Sequence, residues 1–115
     1  MTIILAGCSS SEGQFSVMSS ADAYEFITSE TDVTILDVRS EGEFLSGHIE
    51  GAVLLPIAEI EDRAKSVLVD RDAVILVICQ SGNRSRSAAQ ELANLGFTNI
   101  YDIGGIMSWP GEIVQ

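Results

Sequence analysis

An α/β domain on a central, mainly parallel sheet of about five strands, flanked by helices on both faces, is predicted by three observations. Apolar, β-branched runs alternate along the chain with segments whose apolar residues recur at helical spacing. The run Ala73–Cys79, "AVILVIC", has no charged or amide side chain, as a strand covered on both sides requires. The 115 residues make one domain with a real core, so neither disulfide nor metal staples are needed.

The elements follow in order. "QFSVMS" is a short strand candidate. "SSADAYEFITS" reads as a helix capped by Ser19 or Ser20, with Ala23, Phe26 and Ile27 on one face. "VTILDV" is a buried strand, and "RSEGEFLSGHIEGA" a short helix followed by a glycine-punctuated loop. "VLLP" is a brief strand stopped by Pro56. Ile57, Ile60, Ala64 and Val67 or Leu68 mark one face of a further helix. After the central run, "RSRSAAQELANLG" is a helix ended by Gly96. "NIYDI" is the last strand, and "GGIMSW" a closing turn or short helix.

Charge excludes one large class of partner. With 6 basic and 17 acidic residues the formal charge is −11, the wrong sign for a nucleic-acid surface. The acids are spread along the chain, so their plain meaning is solubility. Arg84 and Arg86 are the only tight basic pair. Two cysteines, Cys8 and Cys79, and one histidine, His48, leave no metal-ligating cluster, so no metal is expected.

The chemistry gathers at one strand end. Ligands of parallel α/β sheets bind beyond the carboxyl ends of the strands, where Cys79 stands. The loop Gln80, Ser81, Gly82, Asn83, Arg84 leads straight into a helix beginning with Ser85 close to its start. Gly82 permits backbone conformations closed to other residues, so the loop can curl with N–H groups pointing inward. Such a ring at a helix N-terminus holds anions, and an anionic sulfur at its centre would be stabilised. Arg84 adds positive charge at the rim. Ser85 has two readings, as a cap or packing residue and as a donor to the sulfur.

At these residues the chain resembles the rhodanese superfamily, from roughly Phe15 to the C-terminus. "CQSGNRS" resembles the family's active-site loop, with Cys79 as sulfur-carrying nucleophile. "ILDVRSEGEFLSGHIEGAVLLP" resembles its upstream signature and "IYDIGGIMSWPG" its closing segment, including Gly104, Gly105 and Trp109. The resemblance implies a rhodanese-like fold over 15–115 and a sulfurtransferase of the thiosulfate:cyanide kind. It moves a sulfane sulfur from thiosulfate, a persulfide or a polysulfide, through a Cys79 persulfide, to cyanide or a thiol. Gln80, Ser81, Gly82, Asn83, Arg84 and Ser85 would form the loop that binds the donor. No cofactor is implied, and a monomer is expected. Asp37 and Arg39 would support the loops, with Glu43 as partner for Arg39; His48 reads as structural, Arg86 as solvated.

Two rivals are weaker. A phosphatase or arsenate reductase of the cell-cycle type carries one residue more between cysteine and arginine. A non-catalytic rhodanese-like module for sulfur binding or interaction would be marked by loss of the cysteine, which is present. Gln80 is a departure, since many members carry a basic residue there; the preferred donor stays open between thiosulfate and persulfide.

The N-terminus adds a separate expectation. "LAGC", Leu5 to Cys8, resembles a bacterial lipobox, and "SSSEGQ" follows as a tether. Residues 1–14 are therefore read as a lipobox remnant and tether, with Cys8 as the lipidation site. The protein would be exported and membrane-tethered on the periplasmic or extracellular face, through that anchor alone. A frayed terminus on a cytoplasmic protein is the alternative, because a secretory signal needs a basic n-region and a longer apolar stretch.

Overall fold

The computed structural model of the chain describes residues 13–115. Its main sheet has five strands: β1 (Ser16–Val17), β2 (Val33–Asp37), β4 (Val53–Leu54), β5 (Val74–Cys79) and β6 (Asn99–Gly105). They lie in the order β1-β6-β5-β2-β4, and every pairing is parallel. The helices are α1 (Ser20–Ser29), α2 (Glu41–Ser46), α3 (Ile60–Val67) and α4 (Asn83–Asn94), with 3-10 turns at Ile57–Glu59 and Ile106–Ser108. A small antiparallel pair, β3 (His48–Ile49) with β7 (Ile113–Val114), stands apart. That pair is not foreseen in the sequence, since two residues give no alternation to read.

β5 is central because both of its faces are covered. Ile75, Val77 and Cys79 join Ile60 and Ala64 of α3 and Ala88, Ala89 and Leu92 of α4 in one core layer. Leu76 and Ile78 point the other way, into a layer with Ala23 of α1, Ile103 and Trp109. The two-residue period of a strand thus makes the continuous apolar run of the sequence. Each fully buried Leu or Ile stabilises the fold by about 1.5–3 kcal/mol.

Helix ends follow their caps. Ser19, rather than Ser20, caps α1, its Oγ accepting from Asp22 N at 3.1 Å. α4 ends as Gly96 takes φ 103°, with Gly96 N donating to Ala93 O and Phe97 N to Leu92 O. That pair of bonds satisfies the last carbonyls as a Schellman motif does. Trp109 packs edge-on against Tyr24 on the outside of the second layer, ring centroids 5.6 Å apart.

At the N-terminal edge, Gly13 N donates to Asn94 Oδ1 at 3.0 Å and Gln90 Nε2 donates to Gly13 O at 2.9 Å. Cys8 and its lipobox-like surroundings lie outside the described residues. Among the described residues no helix is long and apolar enough to cross a membrane.

Candidate active site

β5 delivers Cys79 to its carboxyl end, and α4 begins at Asn83, one residue before the expected start at Arg84. The reason is Gly82, which takes φ 108° and ψ −13° and turns the chain directly into the helix. A side chain at that left-handed φ would be strained. In this conformation Gly82 N–H donates to Cys79 Sγ at 2.9 Å. Among the described residues it is the loop amide bonded to the sulfur, where the sequence suggests a fuller ring. A donor N–H at a helix N-terminus favours negative charge on the sulfur.

Cys79 is nevertheless buried, with no exposed surface. It belongs to the core layer of α3 and α4, and the Gly82 amide of its loop covers it from the other side. Any group that is to meet the sulfur must therefore displace part of what covers it. Gln80 is half-buried and Ser81 exposed, so these two form the outer edge of the cover.

The loop is seated on β6. A bulge at Ile103 shifts the β5–β6 register, setting Ile78 opposite Gly104 and Cys79 opposite Gly105. Gly104, just after the bulge, takes φ 87°, a conformation that glycine adopts without strain. Gly105 lies so close under the loop that a Cβ there would overlap the Gln80 carbonyl and sit 2.8 Å from Ser81 Cα. Backbone on both sides leaves no room to give. Gly105→Ala is expected to lower the unfolding free energy by about 1–3 kcal/mol, read from the urea midpoint at unchanged slope. An unchanged midpoint would mean that the loop does not rest on β6 as described.

Ion pairs hold the surroundings. Arg39 is buried and forks onto Asp37, with Nε to Oδ1 at 2.9 Å and Nη2 to Oδ2 at 2.8 Å. The same guanidinium donates to Gly47 O at 2.7 Å and to Gln80 Oε1 at 3.2 Å. It thus ties the end of β2, the end of α2 and the sulfur loop together. Glu43 is not its partner, contrary to the sequence reading. Glu43 accepts both Nη atoms of Arg84, at 2.8 and 2.9 Å. The physical reason is the position of Asp37, two residues from Arg39 on the chain and already desolvated at the strand end.

Glu43 serves twice. With Ser40 it forms the capping box of α2, Ser40 N donating to Oε1 at 3.0 Å. The Arg84 hydrogen bonds, helped by the Ser40 N–H, bring its carboxyl down to about 2. Arg84 is pushed above its ordinary value by the bond to Glu43, with a smaller contribution from charge on Cys79. The pair is ionised at neutral pH, so the positive charge expected of Arg84 at the rim is compensated.

Ser85 donates not to the sulfur but to Asp102 Oδ1, at 2.6 Å. Both groups are buried, and Gly104 N donates to the same oxygen at 3.0 Å. A buried carboxylate so satisfied locks the start of α4 to the bulge of β6. Asp102 escapes the sequence reading; the signal was an acid inside an otherwise apolar strand, "NIYDI". His48 stacks on Phe44 with Nδ1 2.8 Å from Phe44 O, a packing contact in keeping with a structural role. Arg86 is exposed. Asn83 is exposed at the first turn of α4. Among the described residues no group of His, Cys, Asp and Glu is arranged to hold a metal.

Comparison with known proteins places the sequence and the fold. The profile of the Rhodanese-like domain matches residues 19–112. The thiosulfate sulfurtransferase GlpE of Pseudomonas entomophila is 40% identical over 86 residues, 70% of this chain and 77% of its own. An uncharacterized protein of Bacillus subtilis, YqhL, is 34% identical over 84% of this chain and 76% of its own. Among solved structures, a rhodanese-related protein of Thermoplasma volcanium superposes with a TM-score of 0.75 at 36% identity, covering 86% of this chain and 97% of its own.

Proposed function

This chain belongs to the rhodanese-like domain family, and on that premise we propose that it is a sulfurtransferase working through a persulfide on Cys79. The observation that carries the reading is the Gly82 N–H held 2.9 Å from Sγ at the end of the central strand. Support comes also from relatives named thiosulfate sulfurtransferases, in Pseudomonas entomophila and, at 28% identity, in Escherichia coli.

The chemistry is double displacement. The Cys79 thiolate attacks the sulfane sulfur of a donor; a new S–S bond forms as the donor's S–S bond breaks. With thiosulfate the leaving group is sulfite, which carries away two negative charges, and the enzyme keeps one on its outer sulfur. A thiolate or cyanide then takes that outer sulfur and Cys79 returns as a thiolate. No net oxidation or reduction occurs. The Gly82 N–H compensates the negative charge on Sγ whenever Cys79 is a thiolate, before loading and after unloading. No general base is called for when the attacking group is a thiolate.

Intact mass tests the reading. Incubation of the chain with sulfane-sulfur donors is expected to add one sulfur, about 32 Da, which cyanide removes as thiocyanate. A mass that never changes with any donor, and a thiol that resists alkylation until the chain is unfolded, would overturn it. The closed thiol would then mark a module that binds rather than transfers sulfur.

A further inference from the structure

Resting on the sulfurtransferase reading, the charges around the sulfur loop say which donor it takes: we infer that the chain selects a small organic persulfide of low net charge over the thiosulfate dianion. The two arginines that flank the loop on the side of α2 each have a carboxylate beside them. Arg39 is forked onto Asp37 and Arg84 onto Glu43. Arg86 is not ion-paired among the described residues, but it lines a cleft of about 810 Å³ that Asp102 also lines. Gln80, the residue after Cys79, is neutral, and its Oε1 is already taken by Arg39.

Since Arg86 faces the other, larger cleft, a dianion on the side of Arg39 and Arg84 meets no uncompensated positive charge. At longer range it meets a protein of formal charge −11. Both effects raise the cost of bringing in two negative charges. An organic persulfide avoids both. Its outer sulfur forms the bond to Sγ, its own S–S bond breaks, and the departing thiolate takes up the proton that the persulfide brought. Zwitterionic cysteine persulfide carries at most one net negative charge, on its outer sulfur, against two on thiosulfate.

The smaller cleft offers such a molecule a surface. It encloses about 310 Å³ between α2 and the 3-10 turn after β6, and it is lined by Gln80, Arg39, Glu43, Ile106 and Ile113. Leu45 and Met107, 63% and 75% exposed, stand next in sequence to its lining residues Ser46 and Ile106. Neutralised ion pairs and isoleucine side chains suit the body of an organic donor better than they suit an inorganic dianion.

The test loads the whole chain with thiosulfate or cysteine persulfide and follows the mass gain after rapid quenching. Each rate is divided by the rate of the same donor with free cysteine, which removes intrinsic reactivity. The persulfide is expected to load at least about tenfold faster on that scale, and only the thiosulfate rate should climb as added salt screens repulsion. Glu43→Gln keeps an acceptor for Ser40 N but leaves Arg84 uncompensated, and should raise the thiosulfate-to-persulfide ratio about tenfold. Gln80→Lys, which adds a cation beside the thiol, should raise the same ratio even if Glu43→Gln folds poorly. Equal normalised rates in the parent, or a ratio unmoved in both variants, would overturn the selectivity. No loading from either donor would instead remove the sulfurtransferase reading, and this inference with it.

Discussion

Cys79→Ser is expected to cut thiocyanate formation by at least about a thousandfold, to the level of the reaction without protein. Serine keeps nearly the same shape and would still accept the Gly82 N–H. Its hydroxyl, however, ionises far above neutral pH and cannot carry a sulfane sulfur. The position is fully buried, so an added hydroxyl costs stability of about 1–3 kcal/mol. Cys79→Ala separates the two effects: it leaves no hydroxyl to satisfy and should lose activity to the same extent. Circular dichroism and urea unfolding of both variants show whether the fold survives. Thiocyanate released at the parent rate by either variant would remove Cys79 from the chemistry.

Asp37→Ala should produce the largest loss of stability, about 3–5 kcal/mol, because it strands the Arg39 guanidinium in the core. Asp37 is entirely buried and Arg39 only 3% exposed, so water cannot replace the lost carboxylate. Asp37 also accepts the backbone N–H of Arg39 at 3.1 Å, which leaves a second buried donor unpaired. Sulfur loading should fall as well, since Arg39 holds both Gly47 O and Gln80 Oε1. A double variant, Asp37→Leu with Arg39→Met, removes both charges and should recover much of the stability while loading stays slow. Urea denaturation of the parent, Asp37→Leu, Arg39→Met and the double variant reads the coupling directly. If Asp37→Ala costs less than about 1 kcal/mol, Arg39 is hydrated and the pair does not organise the site.

The fold was largely legible from local pattern. Ala73–Cys79 could only be a strand covered on both faces, and β5 is that strand, with alternate residues in two core layers. Ser19, Pro56 and Gly96 stop or start their elements through local backbone chemistry that a few neighbouring residues determine. The β3–β7 pair was not legible, because its two short segments are joined only by contacts between distant parts of the chain. The same divide runs through the site. Cys79 and Gly82 announce themselves by position and by φ, yet the partners of Arg39, Arg84 and Ser85 do not.

Those partners belong to the tertiary structure. Arg84 reaches Glu43 across 41 positions of sequence, and Ser85 reaches Asp102 across 17. A side chain's periodicity says which face it occupies; which opposite charge it meets depends on how separate elements stack. The sequence by itself determined an α/β domain with a thiol at the end of its central strand, because strand period, helix period and glycine punctuation are local properties. Only the folded chain decided that the thiol is enclosed, that Gly105 supports its loop from below, and that the site's paired arginines are neutralised. Each of those outcomes depends on distances between residues that the chain keeps far apart.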